Sequence, residues 1–258
     1  MGTRIIDLSV RTKLNDESIP AEGLRVRGQH VTHEMCFEGA KAYFGPDLDK
    51  NMLGTGTWWA DDLFTMSPHN TTHFDAPWHY GPITEGKPSK TIDQIPLEWC
   101  YGDGVVIDVR HRGDMEDITE EDIKNGLKKI NYKLKPLDIV LIMTGNHKKY
   151  AGTPDYFAKG SGMSAAATEY IVKQGVKVIG IDSFGFDKPL FEYYKLAKET
   201  GKQYWEAHLV GLKHEYCHIE RMANFEALPP HGFKVACFPV AIDGATAGPC
   251  RAVAILED

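Results

Sequence analysis

Between residues 104 and 182 the chain alternates two patterns. Three apolar, β-branched runs, GVVIDV (104–109), DIVLIMT (138–144) and VKVIGID (176–182), are separated by two stretches with helical character. Short runs that are apolar throughout read as buried strands. The order strand, helix, strand, helix, strand is that of an α/β core with parallel pairing. The first helical stretch, ITEEDIKNGLKKI (118–130), opens at Thr119, a good N-cap, with acids in its first turn and lysines in its last. The second, MSAAATEYIVKQG (163–175), opens near Ser164 and stops at Gly175, a residue suited to the position after a helix. Three further apolar runs, RIIDLSV (4–10), KVACFPV (234–240) and CRAVAIL (250–256), lie outside this unit and add strands at both ends. The expectation is one α/β domain over residues 1–258, with extra β-structure toward the N-terminus. Residues 20–60, with many glycines and charges, are expected to form loops over a site or an oligomer contact.

Composition narrows the function classes. The chain is 42% hydrophobic and 25% charged, ordinary for a globular protein. The formal net charge of −7 offers no basic surface for nucleic acid, and the basic stretch Lys124–Lys135 reads as one exposed helix and its exit. No apolar run reaches the ~18 residues needed to span a bilayer. The opening MGTRIIDLSVRTKL lacks the apolar core and cleavage site of a signal peptide. Five dispersed cysteines without a CxxC pair read as free thiols in a reducing compartment, so a cytoplasmic protein is expected.

The chemistry concentrates in SPHNTTHFDAPWHYG (67–81), where His69, His73, Asp75 and His79 fall within eleven positions. Imidazoles and a carboxylate suit a divalent metal and also general acid–base catalysis. His69 and His73 have helical spacing, but Thr71 and Thr72 are β-branched and Pro77 disfavours helix at Ala76. All four positions are odd, so an extended segment would turn the four groups to one side, with a bend at Pro77. Three could then grip a metal while the fourth stays free. The plainer reading is of scattered histidines hydrogen-bonded to backbone.

This stretch resembles the H-x-G-T-H-x-D-x-P-x-H signature of the metal-dependent cyclase/hydrolase family, which includes bacterial kynurenine formamidase and isatin hydrolase. Only the glycine departs, being Thr71 here. IIDLSV is similar to the family's first strand, GMSAAATEYIVKQGVKVIGIDS to its helix–strand unit, and PVAIDGATAGPCRAVAIL to its C-terminal strand pair. The resemblance implies a β/β/α fold with a mixed sheet, and a hydrolase of amide, lactam or lactone bonds in a small, cyclic or aromatic substrate. It implies metal ligands at His69, His73 and Asp75, with His79 as the general acid/base. The family's distal His and Glu, twelve apart, match His208 and Glu220. On one unbroken helix these would stand about 18 Å apart, so the chain has to turn between them, near Lys213 to Tyr216. His214 and His218 compete for the role of His208. The resemblance also implies zinc or manganese, one or two per chain, with Asp75 able to bridge two. The metal would polarise the carbonyl and supply hydroxide, while His79 moves the proton. A homodimer or homotetramer is implied as well.

Aromatic residues are candidates for lining a pocket for a flat substrate. Trp59, Trp78, Tyr80 and Phe184 are taken as substrate-binding, Trp78 and Tyr80 because they flank His79. Asp182, Ser183 and Asp187 follow a strand, where site residues often sit, although caps and loop bonds explain them as well. GMSAA (162–166) half-matches a nucleophile elbow, with acids and histidines downstream, but no strand precedes it. Ser164 is better read as a helix cap than as the nucleophile of a serine hydrolase. A metal-binding relative without hydrolysis is the other alternative, and it would leave His79 without a task.

Overall fold

All six apolar runs become strands of one sheet in the computed structural model, which describes residues 2–257. The nine strands are β1 (Thr3–Asp7), β2 (His73–Asp75), β3 (Tyr101–Asp108), β4 (Ile139–Met143), β5 (Val178–Ile181), β6 (Cys217–Glu220), β7 (His231–Ala236), β8 (Ala247–Pro249) and β9 (Val253–Glu257). Their spatial order is β1-β9-β7-β3-β4-β5-β6-β2-β8. The centre is parallel: Val105 faces Val140 across β3/β4, Val178 faces Ile139 across β4/β5, and Gly180 faces Ile219 across β5/β6. Antiparallel strands flank it on both sides, so the sheet is mixed, as the family resemblance implied.

Each central strand is buried on both faces. Ile139 and Leu141 of β4 join a core with Phe74, Ile219, Phe233 and Val235. The alternate residues Val140 and Ile142 join a second core with Val105, Ile107, Ile179 and Ile181. Helices cover that second face. Among the described residues are four helices of eight residues or more: α1 (His33–Phe44), α2 (Glu120–Lys129), α3 (Ala165–Val172) and α4 (Leu190–Thr200). Ile123 and Leu127 of α2 and Ala167 and Ile171 of α3 pack onto the sheet. Thr119 and Asp122 form a reciprocal capping box at the start of α2. Ser164 caps α3 by accepting from Ala167 N at 3.2 Å, and its hydroxyl donates to Ile118 O at 2.8 Å. That hydroxyl is occupied as a cap and not as a nucleophile.

Two segments differ from expectation. Residues 20–60 hold α1 and a strand, Arg27–Val31, which pairs with Asp61–Thr65. Thr32 caps α1 by accepting from Met35 N, and Phe37, Ala40 and Trp58 form a small core of their own. Helix α4 was not anticipated. Its buried Tyr193 and Ala197 are one helical turn apart, and Gly201 stops it at φ 69°.

Candidate active site

The strand β2 is short and carries the centre of the site. Phe74 points into the core while His73 and Asp75, two residues apart, share the opposite face. β6 lies beside it, with His218 opposite Asp75 and Glu220 opposite His73. In β6 the same alternation sends Cys217 and Ile219 to the core and His218 and Glu220 to the site. His69 reaches the cluster from the turn before β2. His208 comes from the one-turn helix Glu206–Leu209, and the chain reverses through Val210–Leu212 to reach β6. The required turn between His208 and Glu220 therefore exists.

Asp75 is the hub. Its Oδ1 lies 2.8 Å from His69 Nδ1 and 3.2 Å from His73 Nε2, and its Oδ2 lies 2.9 Å from His218 Nε2. Glu220 Oε2 is 3.5 Å from His73 Nε2, and Oε1 is 3.7 Å from His208 Nε2 and 3.5 Å from His218 Nε2. Two overlapping donor sets result: His69, His73 and Asp75; and Asp75, His208, His218 and Glu220. Within each set the donor atoms lie within 4.8 Å of one another.

These atoms are close but badly aligned for bonding to one another. His73 Nε2, both Asp75 oxygens and His218 Nε2 are buried and have no hydrogen-bond partner. Orphaned buried polar atoms are costly, and convergence on a common point is the arrangement a cation satisfies. The outer nitrogens are already engaged. His73 Nδ1 donates to Thr71 O at 3.0 Å, and His208 Nδ1 donates to Asp187 Oδ2 at 2.5 Å. Each of those two imidazoles therefore turns Nε2 toward the cluster. Tyr80 meets His218 Nδ1 at 3.0 Å. The donor set of imidazoles and carboxylates fits a divalent metal.

Electrostatics follow from burial and charge. Burial opposes ionisation of Asp75, yet the charge of His73 and the close approach of His218 and His69 hold it well below the usual carboxylate range. Glu220 is likewise held down, to about 2, against burial and mainly by His218. Burial would lower His218, but its two carboxylate neighbours raise it to about 9. His79 differs. It sits on the one-turn helix Pro77–Tyr80, its ring 4.0 Å from that of His69 and 5.0 Å from that of Trp205. Burial lowers it to about 3, so it is a neutral imidazole at neutral pH.

The four groups of the signature do converge, but not along one extended segment. Only His73–Asp75 is a strand; Thr71 breaks the run at φ 60° and Pro77 starts a helical turn. His214 bonds Glu169 at 3.2 Å, apart from the cluster. Phe184 lines the cavity over the site, of about 270 Å³, with His69, His79 and Trp205. Tyr80 is buried behind it against His218, where Gly211 makes room: a Cβ there would meet the Tyr80 ring at 2.1 Å. Trp78 and Trp59 are exposed and do not line this cavity; Trp59 packs on Trp58 of the N-terminal arm, residues 20–65. Asp182 accepts from Thr144 N and Gly145 N and serves as a loop cap.

Three contributors were missed or underweighted from sequence. His218 was weighed only as a substitute, although its spacing of two from Glu220 in a strand puts both on one face. Asp187 holds His208 and also accepts from Ala207 N. Trp205 stacks on His208 with ring centroids 4.0 Å apart. Asp187 was named only for following a strand, with a cap or loop bond as the plainer reading, and a lone Trp in an unassigned loop carries no sequence signal.

Comparison with known proteins gives the family. The Cyclase family model ("Putative cyclase") matches residues 6–188. The chain belongs to the Cyclase family. A kynurenine formamidase of Bacillus cereus (strain ATCC 10987 / NRS 248) is 29% identical over 189 residues, covering 73% of this chain and 77% of the relative. Among solved structures, an isatin hydrolase bound to the product analogue thioisatinate superposes with a TM-score of 0.75 at 18% identity, covering 99% of this chain and 93% of the other. A structure described as a predicted metal-dependent hydrolase from Bacillus stearothermophilus gives 0.64 at 15%, with both chains wholly covered. The resemblance to kynurenine formamidase and isatin hydrolase, and the α/β fold it implied, are thereby borne out for this Cyclase-family protein.

Proposed function

We propose that this metal-dependent hydrolase opens the C–N bond of an amide or lactam in a small aromatic substrate. The observation that carries the reading is the set of orphaned donor atoms around Asp75 beneath an aromatic cavity. His69, His73, Asp75, His208, His218 and Glu220 would hold the metal, zinc or manganese, with Asp75 facing both donor sets. A divalent cation held there would supply Lewis acidity toward a carbonyl and toward water. His79 is the one imidazole of the cavity outside both donor sets, and it is neutral. It takes the proton of the attacking water and delivers it to the leaving nitrogen. Phe184, Phe186 and Trp205 form apolar walls that seat a flat ring and exclude bulk water. The named activities of the formamidase and isatin hydrolase relatives support the bond type.

Hydrolysis of formanilide and of isatin by protein loaded with Zn²⁺ or Mn²⁺ tests this. At least one should be turned over. His79→Ala should retain its metal and lose at least ~10²-fold in kcat. Full activity in that variant would remove His79 from the mechanism, and inert loaded wild type on both would refute the proposed reaction. The homo-oligomer that the family resemblance implies has support in the N-terminal arm, where Tyr43 is 89% exposed and Phe44, Met52, Leu63 and Phe64 are also exposed.

A further inference from the structure

Arg221 directly follows the cluster residue Glu220, yet its side chain serves another space. It is 5% exposed, and its guanidinium lies 3.7 Å from the centroid of the Phe184 ring. Nε donates to Phe184 O at 3.2 Å. Among the described residues the terminal nitrogens have no hydrogen-bond acceptor, and no carboxylate comes within 4.0 Å. A buried, unpaired arginine is costly, and proteins rarely leave one without a counter-charge. Its backbone is also held in the left-handed region, at φ 56°, where an ordinary side chain is strained.

Other unsatisfied groups gather around it. A second cavity, of about 310 Å³, shares Tyr156, Phe184 and Arg221 with the cavity over the cluster. Three more residues that line it carry buried polar atoms that lack any partner: Tyr156 Oη, the side-chain amide of Asn70 (1% exposed) and His147 Nδ1. Arg11 and Lys13 stand at its exposed rim. Asp16 is the one acid on its wall, and Glu220 and Asp187 are engaged on the cluster side. Donors therefore predominate, and a planar guanidinium beside a phenol and an amide matches a carboxylate.

We infer that Arg221, with Tyr156 and Asn70, forms a subsite for a carboxylate of the substrate, so that the amide hydrolysed at the neighbouring cluster belongs to an acidic aromatic compound. This rests on the proposed hydrolysis and narrows its substrate class. Phe184, shared by both cavities and covered by the guanidinium, seats the ring between carboxylate and scissile bond.

The test compares 2-, 3- and 4-formamidobenzoate with the matching formamidobenzamides, reading formate release by metal-loaded enzyme. At least one acid should exceed its neutral partner by about 10²-fold in kcat/KM, because a built polar subsite left unpaired penalises the neutral analogue. In Arg221→Met that ratio should fall to near one, with the loss in KM for the acid. Tyr156→Phe should lower it about tenfold, and it keeps the test open if Arg221→Met does not fold. Wild type that treats acids and amides alike, or an Arg221→Met variant that keeps the preference, would overturn the subsite. If no formamide is cleaved, the reaction is wrong but the subsite is still read by fluorescence titration. Binding of 2-aminobenzoate but not 2-aminobenzamide, abolished in the variants, supports it; binding indifferent to charge or to the substitutions refutes it.

Discussion

Thr71 occupies the position where the family signature carries glycine, and it adopts φ 60°. A β-branched residue is strained there by roughly 1–2 kcal/mol, partly offset by the greater freedom glycine loses on folding. The conformation is retained because Thr71 O accepts from His73 Nδ1, which sets the tautomer of a cluster imidazole. Thr71→Gly should therefore keep the cluster and raise unfolding free energy by up to ~1 kcal/mol, read as a higher denaturant midpoint at unchanged slope. A lower midpoint would show that the threonine side chain contributes something the backbone does not reveal. At this scale the sequence was most legible where residue type and spacing act together. His69, His73, Asp75, His79, His208 and Glu220 all come together as the motif suggested. The partner of Asp187 and the place of Arg221 were not legible, because each acts through tertiary neighbours distant in sequence. Trp59 and Trp78 were chosen for being aromatic, which says nothing about which way a ring faces.

Among the elements, α2 shows how a local signal becomes stability. Asp122 is nearly buried and accepts from Thr119 N at 2.7 Å, Thr119 Oγ1 at 2.7 Å and the Arg112 guanidinium at 2.9 Å. Burial would raise its pKa, but Arg112, Thr119 and His111 together hold it well below the usual carboxylate range. A carboxyl depressed in the folded state contributes stability that is complete above the unfolded value near 4 and is lost as pH falls below it. Asp122→Asn should cost about 1.5–3 kcal/mol at pH 7 and show a shallower loss of stability between pH 4 and 2 than wild type. Parallel acid-unfolding curves for the two proteins would contradict this. The cap at Thr119 and the acids beside it made this helix readable from sequence, and the apolar run 104–107 of β3 and the all-apolar β4 and β5 were readable because burial on both faces leaves one pattern. β2 was not, since three residues are too few for a period. Helix α4 has only two buried residues, too weak a stripe to stand out from its charged face.

For the whole molecule, the sheet brings the signature before β2 and the distant His208–Glu220 segment into one site by pairing β2 with β6. That pairing is tertiary, and the family spacing supplied what periodicity could not. The order of the flanking strands, with β9 between β1 and β7, is likewise beyond pattern, because several antiparallel arrangements satisfy the same apolar runs. No described helix is long and apolar enough to cross a membrane. The exposed apolar side chains of the N-terminal arm lead to the expectation of a homodimer or homotetramer. Light scattering after size exclusion at micromolar concentration should give twice or four times the 28.9 kDa chain mass, and a monomer would contradict it. The central claim is that the Asp75 cluster is a metal centre, and metal content tests it most directly. Plasma mass spectrometry of tag-free protein purified without chelator should find one or two equivalents of zinc or manganese per chain in wild type, and little in a folded Asp75→Ala variant. No uptake by wild type when Zn²⁺ or Mn²⁺ is supplied, or equal metal in both proteins, would contradict it.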